Sequence, residues 1–225
     1  MKATKVFDPW PKKYDQWFQT PIGKLIKTYE LELILEMLRP SMGELILDAG
    51  CGTGVFTQDI ISAGATVVGL ELSFPMLARA GEKLFESPFL MIQGNMNHLP
   101  FDDRVFDKAV SVTAIEFIKD AGHAVDELFR VTKPGGSIVV ATLNSLSPWA
   151  ERRKRSGKEG HPIFREVVFR SPEEMRRLSK VEGVQKSAIH FQKEDDPERA
   201  KEKEAMGRSR GRHTGAFLVS CWTKP

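Results

Sequence analysis

The 225-residue chain is poor in cysteine and in long apolar runs, and neither sign of charge is in large excess. Its two cysteines, Cys51 and Cys221, are far apart and form no CxxC pair, so neither a disulfide framework nor a metal site is expected. No segment is long and apolar enough to predict a membrane span, and the N-terminus lacks the apolar region of a secretory leader. A formal net charge of +3 makes a nucleic-acid partner unlikely. Together these absences predict a cytoplasmic protein that does not bind membranes.

Short apolar segments alternate with helical patterns along the first two thirds of the chain. The strands are predicted at 44–50, 65–73, 89–94, 105–114 and 136–143, and the helices at 13–38, 55–62, 75–85 and 121–132. The apolar strands lack strict alternation, which is typical of a parallel sheet covered on both faces. A helix at 171–183 and two further strands, 183–192 and 215–223, follow. We therefore predict an α/β fold with a doubly wound, Rossmann-like, mostly parallel sheet of about seven strands and an antiparallel C-terminal strand.

A cluster of glycines separates the first predicted strand from the next helix, in the sequence LDAGCGTG (47–54). Ligands of doubly wound sheets bind at this carboxyl edge, and glycine lets the backbone approach a ligand closely. Glu71 ends the second strand, where a carboxylate can accept two hydrogen bonds from a ribose diol. The pattern indicates a nucleoside site, and the alternative is a tight turn beside an incidental acid.

The glycine spacing is G-x-G-x-G and lacks the later glycine of dinucleotide sites. In four segments the chain resembles the class I S-adenosylmethionine-dependent methyltransferases. It is most similar to the small-molecule branch that includes enzymes of ubiquinone and menaquinone biosynthesis. The segments are LDAGCGTG (47–54), VVGLELS (67–73), GNMNHLPFDDRVFD (94–107) and ELFRVTKPGGSIVV (127–140).

The resemblance implies S-adenosylmethionine as the cofactor and assigns residues to it. The backbone of the loop Gly50, Cys51, Gly52 and Gly54 would lie against the methionine part. Residues at the strand ends would have separate roles. Asp48 would hold the loop and the ammonium, Glu71 would bind the ribose hydroxyls, and Leu72 would pack on the adenine ring. The carbonyls around Val112 and Thr113 would face the methionine amino group.

The third segment departs from the family pattern. Asn95 stands where the family usually has an aspartate that accepts from the adenine amino group. The amide oxygen of Asn95 can still accept a hydrogen bond, but without the charge. The backbone N–H of Met96 is then expected to contribute more to adenine recognition.

The resemblance also suggests how the chain is divided. Residues 1–43 would form a helical cap over the site, 44–143 the cofactor-binding core, 144–170 a variable insert on the acceptor side, and 171–225 the remainder of the same domain. The charged stretch 194–212 is predicted to be a mobile excursion, since it lacks apolar periodicity.

Methyl transfer needs a general base only if the acceptor must lose a proton early. No residue is assigned a catalytic role from the sequence; the candidates are Glu116, His161 and Tyr14. Two segments, 8–24 and 144–164, are expected to cover an acceptor with apolar walls. Arginines of the second segment are candidates to hold an acidic group on that acceptor: Arg152, Arg153 and Arg155.

Three functional hypotheses follow. The leading one is an enzyme that transfers a methyl group from S-adenosylmethionine to a small-molecule acceptor. A second is a protein that binds S-adenosylmethionine without transfer, as a sensor or an assembly subunit. A third, a nicotinamide-dependent dehydrogenase, is disfavoured by the glycine spacing.

Overall fold

A computed structural model describes residues 6–211 and 213–225. Eight helices and seven strands lie in these residues. The helices are α1 (Pro11–Gln19), α2 (Pro21–Leu38), α3 (Thr57–Ser62), α4 (Phe74–Lys83), α5 (Ala121–Val131), α6 (Pro148–Lys158), α7 (Pro172–Arg176) and α8 (Pro197–Ser209). The strands are β1 (Leu45–Ala49), β2 (Thr66–Glu71), β3 (Phe89–Gln93), β4 (Lys108–Val112), β5 (Ser137–Leu143), β6 (Gly183–Ala188) and β7 (Phe217–Thr223). Among the described helices, none is long and apolar enough to cross a membrane.

The seven strands form one sheet in the order β3-β2-β1-β4-β5-β7-β6. Strands β1 to β5 pair in parallel, and β7 lies antiparallel between β5 and β6. The strand order reverses between β1 and β4, which opens a crevice at their carboxyl ends. The predicted fold class is confirmed. The division of the chain into four segments stays a prediction.

Successive side chains of the central strands enter two separate cores. In β1, Ile46 packs into the core beneath α2 and α3, and Leu47 packs into the core beneath α5. Both side chains are fully buried. Because both faces are covered, apolar residues are required at consecutive positions, which accounts for the continuous apolar runs in the sequence.

The single helix predicted at 13–38 is wrong, because the structure has two helices there. Thr20 ends α1 with an extended backbone and caps α2, since its hydroxyl accepts a hydrogen bond from the N–H of Gly23 at 3.1 Å. Pro21 opens α2, a position where its missing N–H costs nothing. The break allows α1 to turn across the carboxyl edge of the sheet.

The C-terminal third differs from the sequence prediction in two places. The stretch 194–212, predicted to be a mobile excursion, contains the helix α8. Its buried residues are Ala200, Glu204 and Gly207, which give no apolar stripe. Glu204 accepts hydrogen bonds from the backbone N–H of His190 at 2.7 Å and from Arg208 at 2.8 Å. The helix predicted at 171–183 is shorter in the structure, where α7 spans only Pro172–Arg176.

The segment after β5 folds as α6, which begins at a capped turn. The hydroxyl of Ser147 accepts a hydrogen bond from the N–H of Ala150 at 3.1 Å. Trp149 is buried, and its indole N–H donates to the carbonyl of Phe191 at 2.7 Å. This anchor fixes α6 at the edge of the crevice and places Arg153 on the cavity wall.

We predict that Trp149→Phe lowers the free energy of unfolding by about 1–3 kcal/mol, because it leaves the buried carbonyl of Phe191 without a donor. Urea denaturation followed by circular dichroism measures the effect. The matched control is Trp10→Phe, at a partly exposed position for which the structure gives no indole hydrogen bond. An unchanged unfolding midpoint for Trp149→Phe would show that water or a shift of α6 replaces the bond.

Candidate functional site

A cavity of about 810 Å³ lies at the carboxyl edge of the sheet. The turn after β1, the ends of β2 and β4, and the N-terminal segment all contribute to its wall. The cavity has one part beside the glycine loop and a second part between α1, α2 and α6. The predicted cofactor residues that line it are Asp48, Gly50, Cys51, Gly52, Glu71, Leu72, Asn95 and Met96, with Val112 and Thr113.

The glycine loop has the backbone that its sequence requires. Gly50, Gly52 and Gly54 have φ values of +81°, +56° and +73°, which residues with a Cβ rarely adopt. A Cβ on Gly50 would also lie 2.3 Å from the Cβ of Ala114. The loop after β1 therefore packs so closely on Ala114 in the turn after β4 that only glycine fits at position 50.

Gly54 has a different neighbour from the other two glycines. A Cβ there would lie 3.0 Å from Leu84 Cδ1 and 3.3 Å from Ala80 Cβ, which belong to α4 and the residue after it. Gly54 is absent from the cavity wall. Its contacts therefore support the loop from behind.

The carboxylate of Glu71 joins two turns of the site. Its Oε2 accepts from the N–H of Gly52 at 3.1 Å, and its Oε1 accepts from the N–H of Ser73 at 2.8 Å. Burial raises the pKa of Glu71, although both N–H groups favour the ionised form. Each oxygen can accept one further hydrogen bond, which a group in the cavity could donate.

Asp48 lies deeper, at the end of β1, and is 3% exposed. Its Oδ2 accepts a hydrogen bond from the hydroxyl of Thr57 at 2.6 Å. Burial raises the pKa of Asp48 to about 6 against the effect of this bond. A cation next to Asp48 would favour its charged form.

The adenine side of the predicted site is formed by residues after β2 and β3. The side-chain amide of Gln93 donates to the carbonyl of Leu72 at 3.2 Å. The amide oxygen of Asn95 accepts from the N–H of Asn97 at 3.0 Å, so it already closes a turn. Met96 is buried, and its sulfur accepts from the hydroxyl of Ser111 at 3.7 Å.

The turn after β4 carries backbone strain. Thr113 has a φ of +55°, an unfavourable conformation for a β-branched residue. Its N–H donates to the carbonyl of Ala141 at 3.0 Å, which holds the strained turn on the neighbouring strand. Thr113 and Val112 both line the cavity.

Helix α1 is attached to the glycine loop by a carboxylate that the sequence prediction missed. Asp15 accepts hydrogen bonds from the hydroxyl of Thr53 at 2.7 Å, from Arg79 at 2.9 Å and from Lys83 at 2.9 Å. Burial opposes ionisation of Asp15, but these donors outweigh it and lower its pKa. The attachment fixes the face of α1 that covers the cavity.

The second part of the cavity contains several ionisable side chains. Tyr14 comes from α1, Glu30 from α2, Glu116 from the short turn of 3₁₀-helix after β4, and Arg153 from α6. Burial raises the pKa of Tyr14, and nearby Glu30 and Glu116 raise it further. Burial also raises the pKa of Glu30 to about 8 and that of Glu116 to about 7, and Arg153 opposes both shifts.

His161 lies near the mouth of the cavity. Its ring stacks on Phe164 with a centroid distance of 4.4 Å and lies 5.9 Å from the ring of Trp10. Its Nδ1 is buried and has no hydrogen-bond partner among the described residues. The three catalytic candidates from the sequence, Tyr14, Glu116 and His161, therefore lie in one cavity.

The predicted arginine group is only partly at the site. Arg153 lines the cavity, and its guanidinium lies 5.3 Å from the centre of the Phe164 ring. Arg152 forms an ion pair with Glu194 instead, and Arg155 is exposed. Of the three candidate arginines, the structure places only Arg153 on the cavity wall, and a role for any of them in holding an acceptor stays a prediction.

The residues beside the glycine loop fit S-adenosylmethionine. The loop offers backbone at positions where a Cβ at Gly50 has no room. Asp48 is a buried carboxylate suited to an ammonium group, and Glu71 has acceptor capacity for hydroxyl donors. This donor and acceptor set matches an amino acid joined to a nucleoside.

Comparison with known proteins supports this assignment. Residues 47–140 match the family model described as a methyltransferase domain. The match confirms the resemblance to the class I S-adenosylmethionine-dependent methyltransferases and supports S-adenosylmethionine as the cofactor of this domain.

Curated relatives carry two kinds of methyltransferase name. A malonyl-[acyl-carrier protein] O-methyltransferase of Erwinia pyrifoliae is 41% identical over 116 residues, covering 52% of this chain and 44% of that protein. A demethylmenaquinone methyltransferase of Thermobifida fusca is 26% identical over 161 residues, covering 63% and 68%. The chain spans less than half the length of the Erwinia relative.

Two solved structures share the fold over nearly the whole chain. An S-adenosylmethionine-dependent methyltransferase of Thermotoga maritima, described as a possible histamine N-methyltransferase, has a TM-score of 0.76, 22% identity and 98% coverage of both chains. A putative methyltransferase in complex with the Trm112 activator of Haloferax volcanii has a TM-score of 0.75, 22% identity and 97% coverage of both chains. These likenesses show the fold of residues outside the family match.

We predict that Glu71→Ala weakens S-adenosylmethionine binding by at least about tenfold, because charge-assisted hydrogen bonds contribute about 1.5–3 kcal/mol each. Glu71→Gln keeps one acceptor for the loop N–H groups, so its affinity for S-adenosylmethionine is expected to lie between those of the parent protein and Glu71→Ala. Isothermal titration calorimetry measures the affinity, and thermal unfolding checks that the fold is intact. An unchanged dissociation constant for Glu71→Ala would remove this residue from the site.

A second prediction concerns Asn95. Asn95→Asp keeps an acceptor for the N–H of Asn97 and adds charge, so it should hold or tighten cofactor binding. Asn95→Leu removes the acceptor and should weaken binding. Calorimetry on both variants distinguishes these effects, and equal affinities for parent and variants would mean that the side chain serves the turn alone.

Proposed function

We propose that the protein transfers a methyl group from S-adenosylmethionine to a small-molecule acceptor. The observation that carries the proposal is one continuous cavity of about 810 Å³, which joins the glycine loop to its second part between α1, α2 and α6, here called the chamber. A cofactor on the loop and an acceptor in the chamber would share this cavity. Methyl transfer needs this juxtaposition and little else.

In the proposed complex, the residues of the first part of the cavity bind and orient the cofactor. Asp48 would pair with its ammonium group, and Glu71 would accept hydrogen bonds from its ribose hydroxyls. Its adenine would be surrounded by Leu72, Asn95 and Met96. When bound, S-adenosylmethionine supplies an electrophilic methyl group on a positively charged sulfur.

The chamber residues hold the acceptor in line with that methyl group. Trp17 and Phe18 of α1 and Phe217 of β7 provide apolar surface that excludes water. Positive charge at sulfur decreases during transfer, so the site needs no oxyanion hole. Correct alignment of two reactants can supply about 7–11 kcal/mol of the barrier reduction in favourable models.

The acceptors that the relatives' names state, malonyl-[acyl-carrier protein] and demethylmenaquinone, are not assigned to this chain. The alternative of a protein that binds S-adenosylmethionine without transfer gains no support from the comparisons. The exclusion of nucleic acid as a partner and the cytoplasmic location stay predictions.

The decisive measurement is S-adenosylmethionine turnover against a fractionated metabolite extract, with S-adenosylhomocysteine and the mass of the methylated product as readouts. We expect product formation, and we expect Tyr14→Ala and Trp17→Ala to lower turnover more than cofactor affinity. Glu32→Gln, on an exposed part of α2, is the control. Cofactor binding with no S-adenosylhomocysteine from any fraction would favour the non-transferring alternative.

A further inference from the structure

The chamber between α1, α2 and α6 is lined by the carboxyl groups of Glu30 and Glu116 and by the guanidinium of Arg153. Apart from Asp48 and Glu71 beside the glycine loop, the other charged residues that line the cavity are Lys13, Lys119, Asp120 and Glu166. Neither carboxylate forms an ion pair within 4.0 Å of a cation among the described residues. Burial raises the pKa values of both carboxyl groups, so full ionisation, which would leave one negative charge that Arg153 does not balance, is favoured only beside a further cation.

Glu116 is fixed in place by one of its two oxygens. The Oε1 atom accepts hydrogen bonds from the N–H of Leu143 and, at 3.5 Å, from the hydroxyl of Thr142. The other oxygen, Oε2, has no hydrogen-bond partner within residues 6–211 and 213–225. The residue as a whole is only 3% exposed and lines the cavity, so its second oxygen can accept a hydrogen bond from a ligand there.

The turn that carries Glu116 is itself held by a buried cation. Arg170 donates to the carbonyls of Ile115 at 2.8 Å, Ile118 at 3.0 Å and Val168 at 3.2 Å. The backbone carbonyl of Glu116 accepts from the N–H of Val168 at 2.8 Å. Arg170 thus donates to backbone carbonyls, and its charge also lowers the pKa of the Glu116 carboxyl, although no hydrogen bond joins the two side chains among the described residues.

Glu30 is an unusual residue for its place in α2. It lies on the same face as Ile26 and Ile34, both of which are buried in the core. Its carboxylate forms no hydrogen bond in the described part of the chain. A carboxylate on the apolar face of a helix is costly unless a partner arrives.

The ionisable groups that face this pair come from every surrounding element. They include Tyr14 on α1, Arg153 on α6, His161 and Glu166 on the segment after it, and Arg170, whose charge lowers the pKa of Glu116. Burial and repulsion by Glu116 raise the pKa of Glu30, and burial raises that of Glu116. A cation bound beside the two carboxyl groups would favour their ionised forms and so lower both pKa values.

We infer that the acceptor is an amine with an apolar, aromatic-sized body, whose nitrogen lies between Glu30 and Glu116. This inference rests on the proposed function and names its substrate class. The unpaired carboxylate oxygens accept the N–H groups of the ammonium, and Phe18, Phe217 and Trp17 enclose its apolar part.

The same two carboxylates account for the proton that must leave before transfer. An ammonium group gives one proton to a carboxylate oxygen of Glu30 or Glu116 and becomes a neutral amine with a free lone pair. The lone pair forms the N–C bond to the methyl carbon while the C–S bond breaks and its electron pair stays on sulfur. The product is a methylated ammonium, and the carboxylic acid returns its proton to solvent.

An anionic acceptor is the rival class. It would pair with Arg153, whose guanidinium lies 5.3 Å from the centre of the Phe164 ring and forms no ion pair among the described residues. Such a ligand would bind beside Glu30 and Glu116 only while both carboxyl groups are protonated, whereas an ammonium group is stabilised by their ionised form. Two carboxyl groups without an ion-pair partner, against one guanidinium, therefore favour the amine.

The test uses three probes with the same aromatic body: 2-phenylethylamine, 3-phenylpropanoate and 2-phenylethanol. Each is titrated by calorimetry into the full chain saturated with S-adenosylhomocysteine, which prevents turnover. We expect the amine to bind at least about tenfold more tightly than the acid. Glu30→Gln and Glu116→Gln should each lower amine affinity by about tenfold and leave the alcohol unchanged.

Glu32→Gln is the matched control, since Glu32 lies on the same helix but pairs with Arg208 at 3.2 Å outside the chamber. It should bind all three probes like the parent.

Tighter binding of the acid than of the amine, lost in Arg153→Met, would overturn the inference and assign an anionic acceptor. Failure of the amine to bind while S-adenosylmethionine still binds would overturn the inference alone. Loss of S-adenosylmethionine binding in the parent protein would remove the proposed function as well.

Discussion

Both faces of the parallel sheet are buried, and this constraint determines where polar chemistry can occur. Side chains of β1 alternate between two cores, so charged groups have no place along the strand and appear at its carboxyl end. Asp48 and Glu71 take such positions on β1 and β2. The reversal of strand order between β1 and β4 separates the flanking helices there and leaves room for a ligand.

The site beside the glycine loop was predictable from sequence because its requirements are local. A turn with three positive φ values needs glycine, and Gly50, Gly52 and Gly54 stand four residues or fewer apart. The structure adds a distinction that spacing could not provide. A side chain at Gly50 would collide with the turn after β4, whereas a side chain at Gly54 would crowd α4 behind the loop. The two glycines of one motif are therefore required by different packing contacts.

The chamber was harder to predict because its residues come from distant parts of the chain. Glu30 gave one signal, a charge in phase with Ile26 and Ile34 on the apolar face of α2, and it was overlooked. Helix α8 was missed for the opposite reason, since its buried face consists of small or charged residues. Gly207 packs so closely on His190 that a Cβ would lie 2.1 Å from the ring. No periodicity of apolar residues reports such a contact.

The carboxylate of Asp15 joins the two halves of the cavity mechanically. It holds α1 to Thr53 of the glycine loop and to two cations of α4, while its neighbour Tyr14 lines the acceptor side of the cavity. Any displacement of α1 would therefore break bonds to the loop that is proposed to carry the cofactor. If binding in one half of the cavity depends on the position of α1, the same bonds would make binding in the other half depend on it as well.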